Sequence, residues 1–281
     1  MSLNSREWRS CLLVILGWCW LSGAAAQSAM ARAPEGRLLA PDIARIVTRG
    51  ELIVALLNKD TPPFVYEKKG VLQGVDIELV QQVATELKVP IRFDRSATTY
   101  DAVAQRVAAG QADLGVSKLA RTLNRAQSVV FSTPYMNLEH ALLINRLAFA
   151  KMAGEQSVPQ AVRNFTGTIG VMAGSSWEEF VRRNFTKAKA VRFATWALAV
   201  DAVKKGEVVA AYRDAMEVRS VMRSDPALAL NLRTVTFTDL ASVLSVVVGP
   251  RDVVLQSLVS EIVVSQPEKL TVNLLLRQRE M

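Results

Sequence analysis

The sequence predicts an α/β protein of two lobes, each a mostly parallel sheet flanked by helices, with a ligand cleft between them. Three observations carry this expectation. Short apolar runs alternate with segments of helical spacing. The alternation occurs in two sets of comparable size, joined near residues 139–145 and again near 236–246, which makes a two-strand hinge. Half of the 281 residues are hydrophobic, enough for two cores of ordinary size.

The first 26 residues read as a secretory signal peptide. Arg6 and Arg9 form a basic start, residues 11–21 are apolar, and residues 22–26 are small. That apolar run falls short of the roughly 20 residues that span a bilayer. Trp18 before Cys19 does not suit a lipid-attachment site. Cleavage after Ala26 and export are therefore expected. Both cysteines, Cys11 and Cys19, fall in the leader, so the mature chain is expected to hold no disulfide, thiolate metal site or cysteine nucleophile. The formal charge of +8 becomes +7 without the leader's two arginines and one glutamate. The basic residues form no dense run and no stripe interleaved with aromatics, which argues against nucleic acid as a partner.

The elements follow in order. Residues 51–57 are a buried strand. Residues 76–87 place Ile77, Val80, Val83, Ala84 and Leu87 on one helical face. A strand at 90–93 is followed by a helix at 100–109, stopped by Gly110, and a strand at 112–116. The second set is a strand at 168–172, a helix at 176–184, a strand at 191–193, a helix at 197–205, a strand at 208–212 and a helix at 215–222. Lobe 1 is expected at 38–140 and 243–281, and lobe 2 at 141–242. Ligands sit outside the carboxyl ends of parallel strands. The loops after Leu57, Val116, Val171 and Tyr212 are therefore the candidates for a site.

Taken together, "GELIVALL", "PPF", "GVDIELVQQVATELKV", "YDAVAQRVAAGQADLGVS", "RTLNRAQSVVFSTPY", "GTIGVMAGSS" and "KKGEVVAAYRD" resemble the periplasmic solute-binding proteins of polar amino-acid ABC importers, family 3 of the bacterial extracellular solute-binding proteins. The resemblance runs from about Arg45 to Glu261. It implies the two-lobed periplasmic-binding-protein-like fold of type II, a small-molecule ligand, a membrane permease as partner, a monomer, and no metal or cofactor.

The resemblance also assigns roles. Arg125, six residues before Phe131 of the Phe-Ser-x-Pro-Tyr turn, matches the arginine that grips the ligand carboxylate. A guanidinium suits this because it makes paired, charge-assisted bonds and does not titrate. Ser175 and Ser176 match the second lobe's carboxylate loop, at a helix start where free N–H groups favour an anion. Ser176 with Glu179 also fits a capping box, which would compete with a ligand. Asp214 matches the aspartate that meets the ligand ammonium, and Tyr100 the aromatic that packs on the ligand side chain. Ser117, Lys118, Asn58 and Thr61 complete the expected lining. Arg121 is expected on the surface.

There are departures. Ala120 stands where the family tends to have Ser or Thr. Asn58 replaces an aspartate common among binders of basic and amide amino acids, Thr61 an aromatic, and Lys118 a small residue. The stretch after about Pro267 lacks the usual ending. A lost acid and a gained lysine point to an acidic or neutral amino acid, or an organic acid.

The mature chain has one histidine, His140, and no nucleophile elbow, P-loop or Rossmann fingerprint. A binding protein is thus expected rather than an enzyme. A sensory receptor with the same clamp and a cyclohexadienyl dehydratase-like enzyme are the alternatives.

Overall fold

The computed structural model describes residues 31, 32, 36 and 38–266. The expected signal peptide and the C-terminal stretch after Pro267 lie outside them. A ribbon of β1 (Ala31–Arg32) and β2 (Leu38–Leu39) leads into α1 (Pro41–Arg49) and β3 (Leu52–Leu57). The hairpin β4 (Tyr66–Lys68) and β5 (Val71–Gln73) precedes α2 (Val75–Leu87) and β6 (Ile91–Ala97). Then come α3 (Tyr100–Ala108), β7 (Leu114–Gly115) and β8 (Val130–Phe131). The second lobe opens with β9 (Met136–Asn145), α4 (Arg146–Ala153) and α5 (Val158–Arg163). It continues through β10 (Thr168–Met172), α6 (Ser176–Asn184), β11 (Lys189–Phe193), α7 (Trp196–Lys204), β12 (Ala210–Asp214), α8 (Ala215–Ser224) and β13 (Leu232–Leu244). The chain returns to the first lobe with β14 (Val247–Val248) and α9 (Val253–Val264).

Two five-stranded sheets result, ordered β6-β3-β7-β14-β8 and β11-β10-β12-β9-β13. Each has one reversed strand, β14 in the first and β9 in the second. All six residues of β3 are buried, as suits a strand covered by helices on both faces. On α2 the buried positions include the five on the expected face, and Asp76 among them is fully enclosed. Asp42 ties the ends of lobe 1 together. Its Oδ2 accepts from Val254 N at 2.9 Å and Leu255 N at 3.0 Å, serving free donors at the start of α9.

Three boundaries differ from expectation. The strand expected at 112–116 is paired only at Leu114–Gly115. The strand expected to end at Tyr212 runs on through Asp214, because its ladder with β9 continues to the Asp214–His140 pair. Arg213 and Asp214 therefore close a strand that passes straight into α8, with no loop between. Both long crossing strands, β9 and β13, belong to the second sheet along their whole length, with a register break between Thr236 and Ala241. The passages between sheets thus fall at 132–135 and 245–246 rather than at 140/141 and 242/243.

His140 lies on β9, buried against Trp177, Phe180 and Tyr212, with ring centroids 4.8, 4.9 and 5.2 Å away. Its Nδ1 contacts the Tyr212 hydroxyl and its Nε2 lies 2.9 Å from Ser242 Oγ. Tyr212 also accepts from Asn184 Nδ2 at 3.0 Å. The imidazole thus links the two crossing strands to the lobe-2 core. Burial, helped by the Arg183 charge, lowers its pKa to about 4.

An unfolded histidine titrates near 6.5 and so binds its proton first as pH falls. The contribution of neutral His140 is whole above about pH 6.5 and is lost progressively toward pH 4. Urea unfolding at pH 7 and pH 4.5 should show a drop in the wild type, with up to about 3 kcal/mol of it from this residue. The drop should be smaller in His140→Gln; equal slopes would mean that His140 does not drive it.

Candidate functional site

The site is assembled at the ends of β3, β7, β10 and β12. After β7 the chain turns through two left-handed residues, Ser117 at φ 141° and Lys118 at φ 56°. Such backbone is unfavourable for residues with a Cβ and persists where its surroundings fix it. Here Asp76 does so. Its Oδ2 accepts from Lys118 N at 2.6 Å and its Oδ1 from Tyr135 OH at 2.8 Å. Ser117 Oγ accepts from Leu57 N at 2.9 Å. Ser117 is thus a fully buried strut behind the cleft.

The turn sends the Lys118 side chain across to the other lobe. Its Nζ lies 2.8 Å from Asp214 Oδ2, 3.3 Å from Glu217 Oε1, and 5.3 Å from the Phe64 ring centroid. Burial alone would push the Lys118 pKa down, but Asp214 and Glu217 outweigh it, and the ammonium stays above the ordinary lysine value. The other Asp214 oxygen accepts from Glu217 N at 3.2 Å and caps α8. Both oxygens of the expected ammonium anchor are therefore engaged by this chain's own groups.

Arg125 is buried in a short 3-10 turn. Its Nε and Nη2 donate to Asp101 Oδ1 at 2.9 and 2.7 Å, and its Nη1 to Ala120 O at 2.7 Å. A guanidinium has five donors. These contacts use three and leave one on each terminal nitrogen, a fork suited to a carboxylate. Arg121 stacks over Phe131 at the surface, as expected.

Across the cleft, Ser175 rather than Ser176 is the N-cap residue of α6, and Ser176 is its first helical residue. The expected Ser176–Glu179 capping box does not form. Glu179 instead reaches the first lobe and accepts from Leu123 N at 2.9 Å and Asn124 N at 3.0 Å. Glu178 takes Gly174 N at 2.7 Å. Gly174 O accepts from Asp101 N at 3.0 Å. The Glu179 bonds, the Asp101–Gly174 bond and the Lys118–Asp214 pair hold the lobes closed.

Two cavities result. A small one, about 20 Å³, is lined among others by Tyr100, Lys118, Arg125, Ser175, Ser176 and Asp214, so six expected residues meet there. Its volume suits about one water. A second, about 260 Å³, shares Tyr100 and Arg213 with the first and adds Thr61, Trp196 and Glu217. Asn58 is exposed and lines neither.

The sequence reading missed Arg213, Trp177, Trp196, Asp101 and Glu217. For Arg213 a signal existed, since it is the charged neighbour of Asp214. The others sit on helices, where no strand-end rule marks them. Among the described residues no group of His, Cys, Asp and Glu is placed to hold a metal, and no helix is long and apolar enough to cross a membrane.

A model of the bacterial extracellular solute-binding proteins, family 3, matches residues 53–216. The chain belongs to this family. It is similar to a probable histidine-binding protein of Neisseria gonorrhoeae, at 22% identity over 76% of this chain and 78% of that one. A stretch of 139 residues is 31% identical to membrane-bound lytic murein transglycosylase F of Alcanivorax borkumensis, covering 50% of this chain but only 28% of that relative. The fold superposes on an amino-acid ABC transporter substrate-binding protein of Streptococcus pneumoniae bound to L-arginine. That match has a TM-score of 0.61 and 25% identity, and covers 78% of this chain and 90% of the other. Two α/β lobes around a cleft are thus the family architecture.

Gly174 tests the closed contact. It has φ +64°, and a Cβ there would lie 2.7 Å from Thr99 Cβ on the opposite lobe. Gly174→Ala should keep the lobes apart. Small-angle X-ray scattering should then give a larger radius of gyration than the wild type, and an unchanged radius would show that this approach does not govern closure.

Proposed function

We propose that this chain is an exported receptor that closes its two lobes on a small, carboxylate-bearing polar solute and delivers it to the permease of an ABC importer. The observation that carries this reading is the buried Arg125 fork, with two donors unspent, opposite the start of α6. A solute held from both sides binds the closed form more tightly than the open one, and that difference drives closure. The closed surface is what a membrane partner reads. Family membership supports both the solute and the extracytoplasmic setting.

A thermal-shift panel of amino acids and small organic acids tests the proposal, since a ligand of the folded state raises the melting temperature. At least one carboxylate should stabilise the chain. Arg125→Lys keeps the charge but loses the planar fork, and should weaken that ligand about tenfold or more. A stabilising ligand whose affinity survives this change intact would remove Arg125 from the proposed clamp.

A further inference from the structure

Buried polar atoms without partners cluster in residues around the larger cavity. Among the described residues, four buried side-chain polar atoms lack a hydrogen-bond partner: Thr61 Oγ1, Trp196 Nε1, Arg213 Nε and Ser245 Oγ. The first three belong to residues that line this one cavity. Arg213 is 6% exposed. Its guanidinium lies over the Trp196 ring, 5.3 Å from the centroid, and its hydrogen-bonding neighbours are poor ones: the Met172 thioether at 2.9 Å, Tyr100 OH at 3.4 Å, and carboxylates of Asp214 and Glu217 at 3.7 and 3.6 Å. A buried guanidinium so weakly served is costly unless an acceptor completes it. An indole N–H and a guanidinium N–H can only donate. The missing group is therefore an acceptor, and beside Arg213 an anionic one is favoured. The two carboxylates on the wall are already held by cations, Asp60 by Arg95 at 2.8 Å and Glu217 by Lys118 at 3.3 Å.

A second observation concerns the other end of the ligand. Lys118 Nζ occupies Asp214 as a ligand ammonium would, and Glu217 N takes the remaining oxygen. An incoming α-ammonium would have to share those two oxygens with Lys118 Nζ and Glu217 N and would face a like charge.

We infer that the ligand is a small dicarboxylate without an α-amino group. One carboxylate takes the open donors of Arg125, and the other takes Arg213, Trp196 and Thr61. Lys118 serves as a built-in substitute for the absent ammonium. The inference rests on the receptor reading above and narrows its solute.

Isothermal titration calorimetry of the purified chain compares matched pairs, glutarate with L-glutamate and succinate with L-aspartate, with L-arginine and the monocarboxylate butyrate alongside. One dicarboxylate should bind about tenfold or more tighter than its 2-amino partner, the scale of one charged hydrogen bond. Lys118→Met frees Asp214 and should move that ratio about tenfold toward the amino acid. Trp196→Phe keeps the ring and removes the donor; it should weaken the dicarboxylate more than butyrate. Tighter binding of the amino acids or of L-arginine in the wild type would overturn this inference and leave the receptor reading standing. Should Lys118→Met fail to fold, the wild-type pairs and Trp196→Phe decide alone. Equal losses for dicarboxylate and butyrate in Trp196→Phe would overturn the distal carboxylate site. Binding of nothing in the panel would overturn this inference, and the wider thermal-shift panel then decides the receptor reading by itself.

Discussion

A buried carboxylate, Asp76, fixes the turn from which the cleft's charge pattern hangs. Ser117 and Lys118 adopt left-handed backbone that neither would choose alone. The Asp76 side chain captures Lys118 N, and Tyr135 steadies the carboxylate from behind. A buried carboxyl is itself unfavourable, and burial raises its pKa against the pull of these bonds. What it secures is direction. The Lys118 side chain leaves the first lobe and meets Asp214 on the second. Without that turn the two acids at the start of α8 would lose their Lys118 partner.

The same geometry links binding to closure. Six polar contacts in the cleft join the two lobes. Lys118 reaches Asp214 and Glu217, Glu179 reaches the amides of Leu123 and Asn124, and Asp101 N reaches Gly174 O. Arg213 and Tyr100 face each other from opposite sides. Several of these groups are charged and most are partly or fully enclosed. Each one pulled from water must find its partner in the closed form. The closed form then lacks partners at the walls of the larger cavity. That shortfall is what a solute of the right chemistry supplies, and it separates a ligand-driven closure from a merely sticky one.

The hinge strands carry a second enclosed polar group. His140 lies where β9 passes between β12 and β13, and its ring nitrogens face Tyr212 and Ser242. Its packing against three aromatic rings makes it part of the lobe-2 core. Ser242 also lines the small cavity. The floor of the cleft is therefore backed by core rather than by solvent.

Much of this was legible in the sequence. Apolar runs and helical spacing marked the paired α/β sets, because a sheet covered on both faces needs buried strands and one-sided helices. The strand-end rule marked the segments that hold Arg125, Ser175, Ser176 and Asp214, since function collects where parallel strands stop, and the resembling motifs singled out these residues within them. Tyr100 and Lys118 were legible by position in the resembling motifs. Tertiary structure decided what local pattern does not encode. It determined that Asp214 ends a strand paired with β9, that Lys118 covers it, and that Glu179 bridges lobes instead of capping its own helix. It left Asn58 outside and gathered Arg213, Trp196 and Thr61 around one cavity. These outcomes depend on residues about 40 to 150 positions apart coming together. A side chain's partner over such distances is set by how two independently patterned lobes meet, which no window of sequence contains.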